Sequence, residues 1–388
     1  MTNIKRMLMA AAGVDNILKP YGSIWGWGLN TVGQLGNGNT TNLSSPVQIG
    51  SDTDWHQVVS TYQSTFALKS DGTVWAWGRN NEGQLGQGNT TNTSSPVQVG
   101  SRTDWKWIGG HGTGLVLSAS LSAGKVYIVG GNNVGAHGRG NTTNTSSPVQ
   151  LGTDKTFKYI SNNAGQVILG TDGSNQMWCM GNNGSGELGI GDTTSRSSPV
   201  QLGARTDFVR GAEHGNASSW TMSTGKMYAA GNNGFRKFMD ETGTNTSSPV
   251  QVGSDTDWAH FRTGGSRAQA TMRTNGTLWT GGYGAYGMAG DGTVGVNQAS
   301  PVQVGSLTTW TGVSFGNHHC LGFQGGKLFS WGRSREGQNG RGNTTSASSP
   351  IQVGSLTDWQ PIGRVDLASP HGNNLGSYHT VVIRTTSS

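Results

Sequence analysis

Aspartate pairs, adjacent histidines and glycine-rich runs are the residues of this chain whose spacing could support chemistry. Asp52 and Asp54, and again Asp255 and Asp257, stand two apart. On a strand that spacing puts both carboxylates on one face, as paired acid–base work would require. Recurrence argues against such a use, because the corresponding places hold Arg102 and Asp104, Leu307 and Thr309, and Leu356 and Asp358. The first place accepts any residue, and an acid or Thr just before an aromatic is expected to be a turn residue bonding local backbone. His318 and His319 would point to opposite faces of a strand and cannot grip one metal together. His111, His214 and His379 stand near the start of the same strand in other repeats and, without a paired acid, read as packing or inner-rim residues. Gly184-Ser185-Gly186-Glu187-Leu188-Gly189 matches a dinucleotide fingerprint and Gly312–Gly316 a hydrolase elbow, but neither lies between a strand and a helix. No spacing makes a zinc or calcium site, and Cys179 and Cys320 read as buried free thiols. No catalytic residue, cofactor or metal is therefore expected.

The element that must position everything is a repeat. Trp75-Ala76-Trp77-Gly78 leads into a glycine-punctuated run to Gly88 and then to Ser95-Pro96-Val97-Gln98; Trp25 to Pro46 is nearly the same text. The prolines of this last tetrad, Pro46, Pro96, Pro148, Pro199, Pro249, Pro301 and Pro350, mark seven units of about fifty residues, a period that means a propeller, solenoid or array. In the second unit Phe66–Ser70 reads as a strand, Asp71-Gly72 as a tight turn and Thr73–Gly78 as the returning strand. Both faces of that hairpin are apolar, so the sheet is covered on both sides. Asn80 sits where a short amide can close a turn. Pro96 suits an edge strand, with Val97 and Val99 expected on one buried face. The first unit lacks its leading strand and the last runs on to Tyr378–Arg384. Thr380–Arg384 is thus predicted to pair antiparallel with Ser23–Trp27, bringing Ile24 and Trp25 against Val381 and Ile383 and closing the ring.

The pattern Trp-x-Trp-Gly-x-Asn-x-x-Gly-Gln-Leu-Gly-x-Gly, with a proline about ten residues on, resembles the RCC1 repeat. The resemblance extends from about Gly22 to Arg384 and implies an all-β, seven-bladed β-propeller over residues 21–388, closed by N- and C-terminal strands that share a blade. It also implies a range of roles: exchange factors for a small nuclear GTPase, chromatin-associated regulators and ubiquitin-ligase modules. Neither an inserted wedge hairpin nor a basic chromatin-binding tail is found here, so no exchange-factor residue can be carried over, and fold alone does not name a function.

Composition narrows the choice. Only 12% of residues are charged, 65 are glycine, and the net charge of +6 is scattered rather than clustered. A nucleic-acid partner would want a basic stripe, and none is expected; nor is a membrane span, since no apolar run approaches about 20 residues. Near-identical repeats rich in Gly, Asn, Thr and Ser resemble bacteriophage virion and tail proteins. The first reading is a non-enzymatic virion component, a tail or capsid appendage present in multiple copies and contacting other virion proteins or a host receptor. A secreted adhesin or carbohydrate-binding propeller is the alternative, and an exchange factor the remote one. Residues 1–20 form an N-terminal arm, with Ile4, Lys5, Arg6, Met7, Leu8 and Met9 as its docking segment; a signal-like reading of the same residues stays open.

Two departures from the repeat mark candidate partner contacts. In the fifth unit Phe235-Arg236-Lys237-Phe238-Met239-Asp240-Glu241 replaces the glycine run, gathering Phe235, Arg236, Lys237 and Phe238 where other units turn. A drifted blade that packs differently explains the same residues equally well. The second departure is the insertion from Arg364 to Ser377, carrying Pro370 and His371.

Overall fold

The computed structural model describes residues 21–110, 118–121, 125–152, 156–162, 167–213, 215–263, 267–360 and 378–385. The N-terminal arm and the insertion with Pro370 and His371 lie outside them, as do His111 and His214.

Each repeat forms one antiparallel blade, and a Gly22–Trp55 pair joins the sheets of the first two blades. Blade 2 has strands Trp55–Ser60, Ser64–Lys69, Val74–Gly78 and Thr93–Gln98, in that spatial order. Blades 3 to 7 repeat this four-stranded meander, from Trp105–Gly109 in blade 3 to Ala347–Gln352 in blade 7. Blade 1 is shared between the ends of the chain. Gly22–Gly28 pairs with His379–Thr385 on one side and Leu43–Ile49 on the other, and Trp359 bridges Arg384 where an innermost strand belongs. The closing register is Ser23 to Arg384, Ile24 to Ile383, Trp25 to Val382 and Trp27 to Thr380, as the complementary ends of the sequence require. Blade 1 and the six complete sheets make seven.

Both blade faces are buried because neighbouring blades cover them. Phe66, Leu68, Val74 and Ala76 meet Val99, Trp105, Ile108 and Val129 on one side. On the other, Ala67 and Trp77 meet Trp55, Ile24, Ile49, Val381 and Ile383. Ile24, Val381 and Ile383 thus seal blade 1 to blade 2, while Trp25 packs half-buried against the cluster of Trp27, Leu321 and Val382 toward blade 7. One strand detail differs from expectation. Val99 is buried but Val97 is 39% exposed, because the outermost strand is bulged and has no neighbour beyond it.

The glycine runs join blade to blade. Asn80 organises its loop: its Oδ1 accepts the Leu85 N–H at 2.9 Å, while its amide donates to the Asn89 and Thr91 carbonyls. Leu85 is fully buried. Gly83 has a φ of +77°, and a Cβ there would stand 2.6 Å from Ser146 Cα of blade 3. That close approach is why glycine recurs. Likewise a Cβ on Gly36 would meet the Trp77 indole of blade 2, whose Nε1 donates to the Gln34 carbonyl.

The fifth repeat keeps this conformation without its glycines. Arg236, Met239 and Glu241 hold φ of +58°, +54° and +66°, and the Phe238 N–H still bonds Asn233 Oδ1. Lys237 and Phe238 therefore face inward at the places of Gln84 and Leu85, buried to 1% and 0%, which corrects their reading as partner contacts. The Lys237 ammonium donates to the Gly215 carbonyl at 2.6 Å. Met239 fills space left by its neighbour: where blade 2 has Trp77, blade 6 has Gly281, and a Cβ there would lie 2.1 Å from Met239 Cγ. The socket is conserved in volume and exchanged in residues.

Candidate functional site: an aromatic and cationic sector of one rim

The aspartates are neutralised rather than poised for catalysis. Asp52 and Asp54 both pair with Lys69, Asp255 and Asp257 with Arg273, and Asp358 with Arg384. In blades 3 and 5 the cation moves to the first place, as Arg102 with Asp104 and Arg205 with Asp207. The first place is charge-matched where it holds Asp or Arg but is Leu307 or Leu356 in other blades, and the second, where it is Asp, bonds a cation. In each case the cation lies over an aromatic ring of the third strand, from 4.4 Å for Arg273 on Trp279 to 5.3 Å for Arg384 on Trp25. Within the glycine run that resembled a dinucleotide fingerprint, Glu187 is buried and bonded to Asn182 and to the Ser185 N–H.

Two of the fully buried histidines, His319 and His379, link blades. Thr65 Oγ1 donates to the Gln34 carbonyl at 2.8 Å, so His379 Nε2, 3.2 Å away, must be the donor to that hydroxyl. His319 Nε2, Thr380 Oγ1 and the Gln338 carbonyl repeat the arrangement one blade earlier. Burial pushes His379 down to about 3, and burial followed by its histidine neighbours and Arg333 does the same for His319. Neutral, enclosed and without a carboxylate partner, they hold blades together. Burial also raises Cys179 to about 12, leaving its thiol unreactive. Among the described residues no three His, Cys, Asp or Glu could hold a metal ion.

One rim breaks the sevenfold pattern. In five blades the residue after the third strand donates its N–H to the carbonyl of the residue preceding the second strand. Arg79 to Gln63, Asn232 to Asn216, Tyr283 to Arg267, Arg333 to His318 and Leu29 to Tyr378 are five such pairs. The backbone is thus the same while the side chains diverge. At the donor place blades 3 to 5 carry Gly131, Asn182 and Asn232, but blades 6, 7 and 2 carry Tyr283, Arg333 and Arg79.

There the side chains form two ladders. Arg267 lies 5.3 Å from the Phe235 ring centroid and 5.2 Å from that of Tyr283, and the two rings meet edge-on at 5.1 Å. Arg333 lies between Tyr286 and Tyr378 at 5.6 and 5.3 Å and is held by Glu336 at 3.0 Å. His318 stacks on Tyr378 and meets Tyr286 edge-on, and Tyr378 continues to Tyr62 of blade 2. Burial, then the Arg333 and Arg267 charges, push His318 down to about 4, so its ring is neutral at neutral pH. Blade 6 also replaces the usual Asn-Thr loop with Val294-Gly295-Val296, whose Gly295 N–H bonds the Gly284 carbonyl. Val294 and Val296 are 64% and 53% exposed, and Tyr286 42%.

Of the sequence-derived contacts, Phe235 belongs to this sector as a half-buried ring and Arg236 is exposed beside it. Tyr62, Arg267, Tyr283, Tyr286, Arg333, Tyr378 and the two valines were missed. Aligning the rim positions of the seven repeats would have found the last blade-6 residues, since Tyr286 and Val296 replace the Glu82 and Thr91 class of loop residue.

Three segments, residues 21–68, 71–112 and 325–365, match the model of the Regulator of chromosome condensation (RCC1) repeat, and a second RCC1-repeat model matches 55–84. Prp20p of Saccharomyces cerevisiae superimposes with a TM-score of 0.80 at 17% identity, over 96% of this chain and 93% of that one. The chain is an RCC1-like β-propeller. Human WBSCR16 is similar at a TM-score of 0.79 and 19% identity, covering 94% of this chain and 99% of its own. Yeast RCC1 (Prp20) bound to Kap60 gives 0.81 at 18% identity, over 96% and 90%. The Prp20p structure is described with its binding to Gsp1p and histones. At these identities the likeness establishes the RCC1-like fold and not a shared partner. Comparison with curated proteins finds no match.

Proposed function

We propose that this RCC1-like propeller is a non-enzymatic protein-interaction platform that binds through the rim sector running from Phe235 across blades 6 and 7 to Tyr62. One observation carries the reading. A feature needed for folding recurs from blade to blade, as the Arg102–Tyr127 and Arg205–Tyr228 pairs do, whereas on this rim, among the described residues, Tyr, Phe and Arg outside the repeat pattern gather in one sector, and Tyr and Arg dominate interface energetics. The rings are pre-stacked on arginines, which lowers the ordering cost of binding. Solved relatives described with protein partners make the class reasonable. Composition supports the finer reading of a virion appendage, with the arm from Ile4 to Met9 as the dock to the particle and the sector meeting a neighbouring or host protein.

The test is site-specific photo-crosslinking in the native assembly, with the probe placed at Val294 or at Asn232 on the polar half of the rim. Adducts from the first position and not the second support the platform; adducts from the second alone refute the choice of sector. Removal of residues 1–20 should abolish incorporation into particles while the propeller stays folded. The alternative of an exchange factor, favoured by the Prp20p likeness, requires accelerated nucleotide release from a small GTPase.

A further inference from the structure

We propose that the occupant of this sector is an acidic segment of a partner protein that carries apolar or aromatic side chains. The inference rests on the platform reading and adds the chemistry of what binds. Arg267 and Arg333 are spaced between rings, with Arg79 and Arg236 at the sector's two ends. Glu336 pairs with Arg333, whereas among the described residues Arg267 forms no ion pair, so its charge is open to an incoming carboxylate. The packing of each guanidinium over two rings restricts its plane and leaves it able to receive a carboxylate in a defined orientation.

The apolar half of the recognition comes from blade 6. Val294 and Val296 stand in a loop that the neighbouring repeats fill with Thr, Asn, Ser and Gly, and both are solvent-exposed. A segment alternating carboxylates with Leu or Phe would place the former on the arginines and the latter across Tyr286 and the valines. A nucleic-acid strand would match the arginines and rings but would gain nothing from the two valines.

The test uses the full chain and three probes: a labelled twelve-residue peptide of alternating Asp/Glu and Phe/Leu, its Lys counterpart, and an oligothymidylate of twenty nucleotides. Fluorescence anisotropy should show saturable binding of the acidic peptide alone, weakening with added salt. Tyr286→Ala should reduce affinity by about tenfold or more, as an anchor at the centre of an interface does. Val296→Ser, at a solvent-facing site that cannot compromise folding, should reduce it by about threefold to fivefold. Asn232→Ala should leave it unchanged. Equal binding of the acidic and basic peptides, no binding of the acidic peptide, or affinity unmoved by both sector variants would overturn the proposal. So would preferred binding of the oligonucleotide. If the peptides fail while crosslinks from Val294 persist, the platform stands and only the acidic occupant is lost.

Discussion

Exchanging the residues of the socket between blades 5 and 6 should restore the arrangement found between blades 1 and 2. Met239 is 1% exposed and occupies volume that Trp77 fills elsewhere, opposite Gly281. Met239→Gly removes a buried thioether, a loss of about 2–5 kcal/mol for comparable truncations. It also releases a left-handed φ of +54°, returning about 1 kcal/mol. A net destabilisation of about 2–3 kcal/mol is expected. Gly281→Trp alone forces an indole into Met239, whose Cγ would lie 2.1 Å from the new Cβ, and should cost about 3 kcal/mol or more. Together the two changes recreate the Gly36–Trp77 pair, with the introduced indole N–H able to reach the Lys237 carbonyl as Trp77 reaches that of Gln34. The double variant should then lie within about 1 kcal/mol of the parent, a coupling of several kcal/mol. Urea denaturation with the slope held common measures all four corners of the cycle. Additivity of the two single effects within about 0.5 kcal/mol would refute the exchanged-volume account.

Further outcomes follow from the same geometry. Arg236→Gly should raise stability by about 1 kcal/mol, since its φ of +58° suits glycine; a loss would show that the side chain contributes more than the strain costs. His319 and His379 are pushed down to about 3 from an ordinary 6.5, so the unfolded chain binds protons that the folded one refuses. Stability should be flat above about pH 6.5 and fall below it, by about 2 kcal/mol for each of the two at pH 5, and His379→Gln should flatten that slope in acid denaturation curves. Truncation before His379 bares the Gly22–Gly28 edge and should convert the closed ring to an aggregating, protease-sensitive chain; a monomeric, resistant product would show that closure is dispensable.

How much of this was legible in the text of the chain depends on whether the repeat carried it. Blade number, the hairpins and the antiparallel pairing of Ser23–Trp27 with Thr380–Arg384 were readable, because a fixed period and complementary ends leave few ways to cover every sheet. The fifth repeat shows where reading fell short. Arg236 to Glu241 looked like a new surface, yet Asn233 imposes the old loop and turns Lys237 and Phe238 inward. Only neighbouring coordinates reveal that Met239 answers the missing tryptophan at Gly281.

The sequence alone determined a ring of seven duplicated sheets, since periodicity dictates which residues recur and recurring residues serve the fold. The tertiary structure decided where function can reside. Phe235, Arg267, Tyr286, Arg333, Tyr378 and Tyr62 are scattered across more than three hundred residues of chain, and only closure of the ring through blade 1 brings the last two onto the rim beside the others. Their adjacency depends on blade-to-blade contact, which no local pattern encodes.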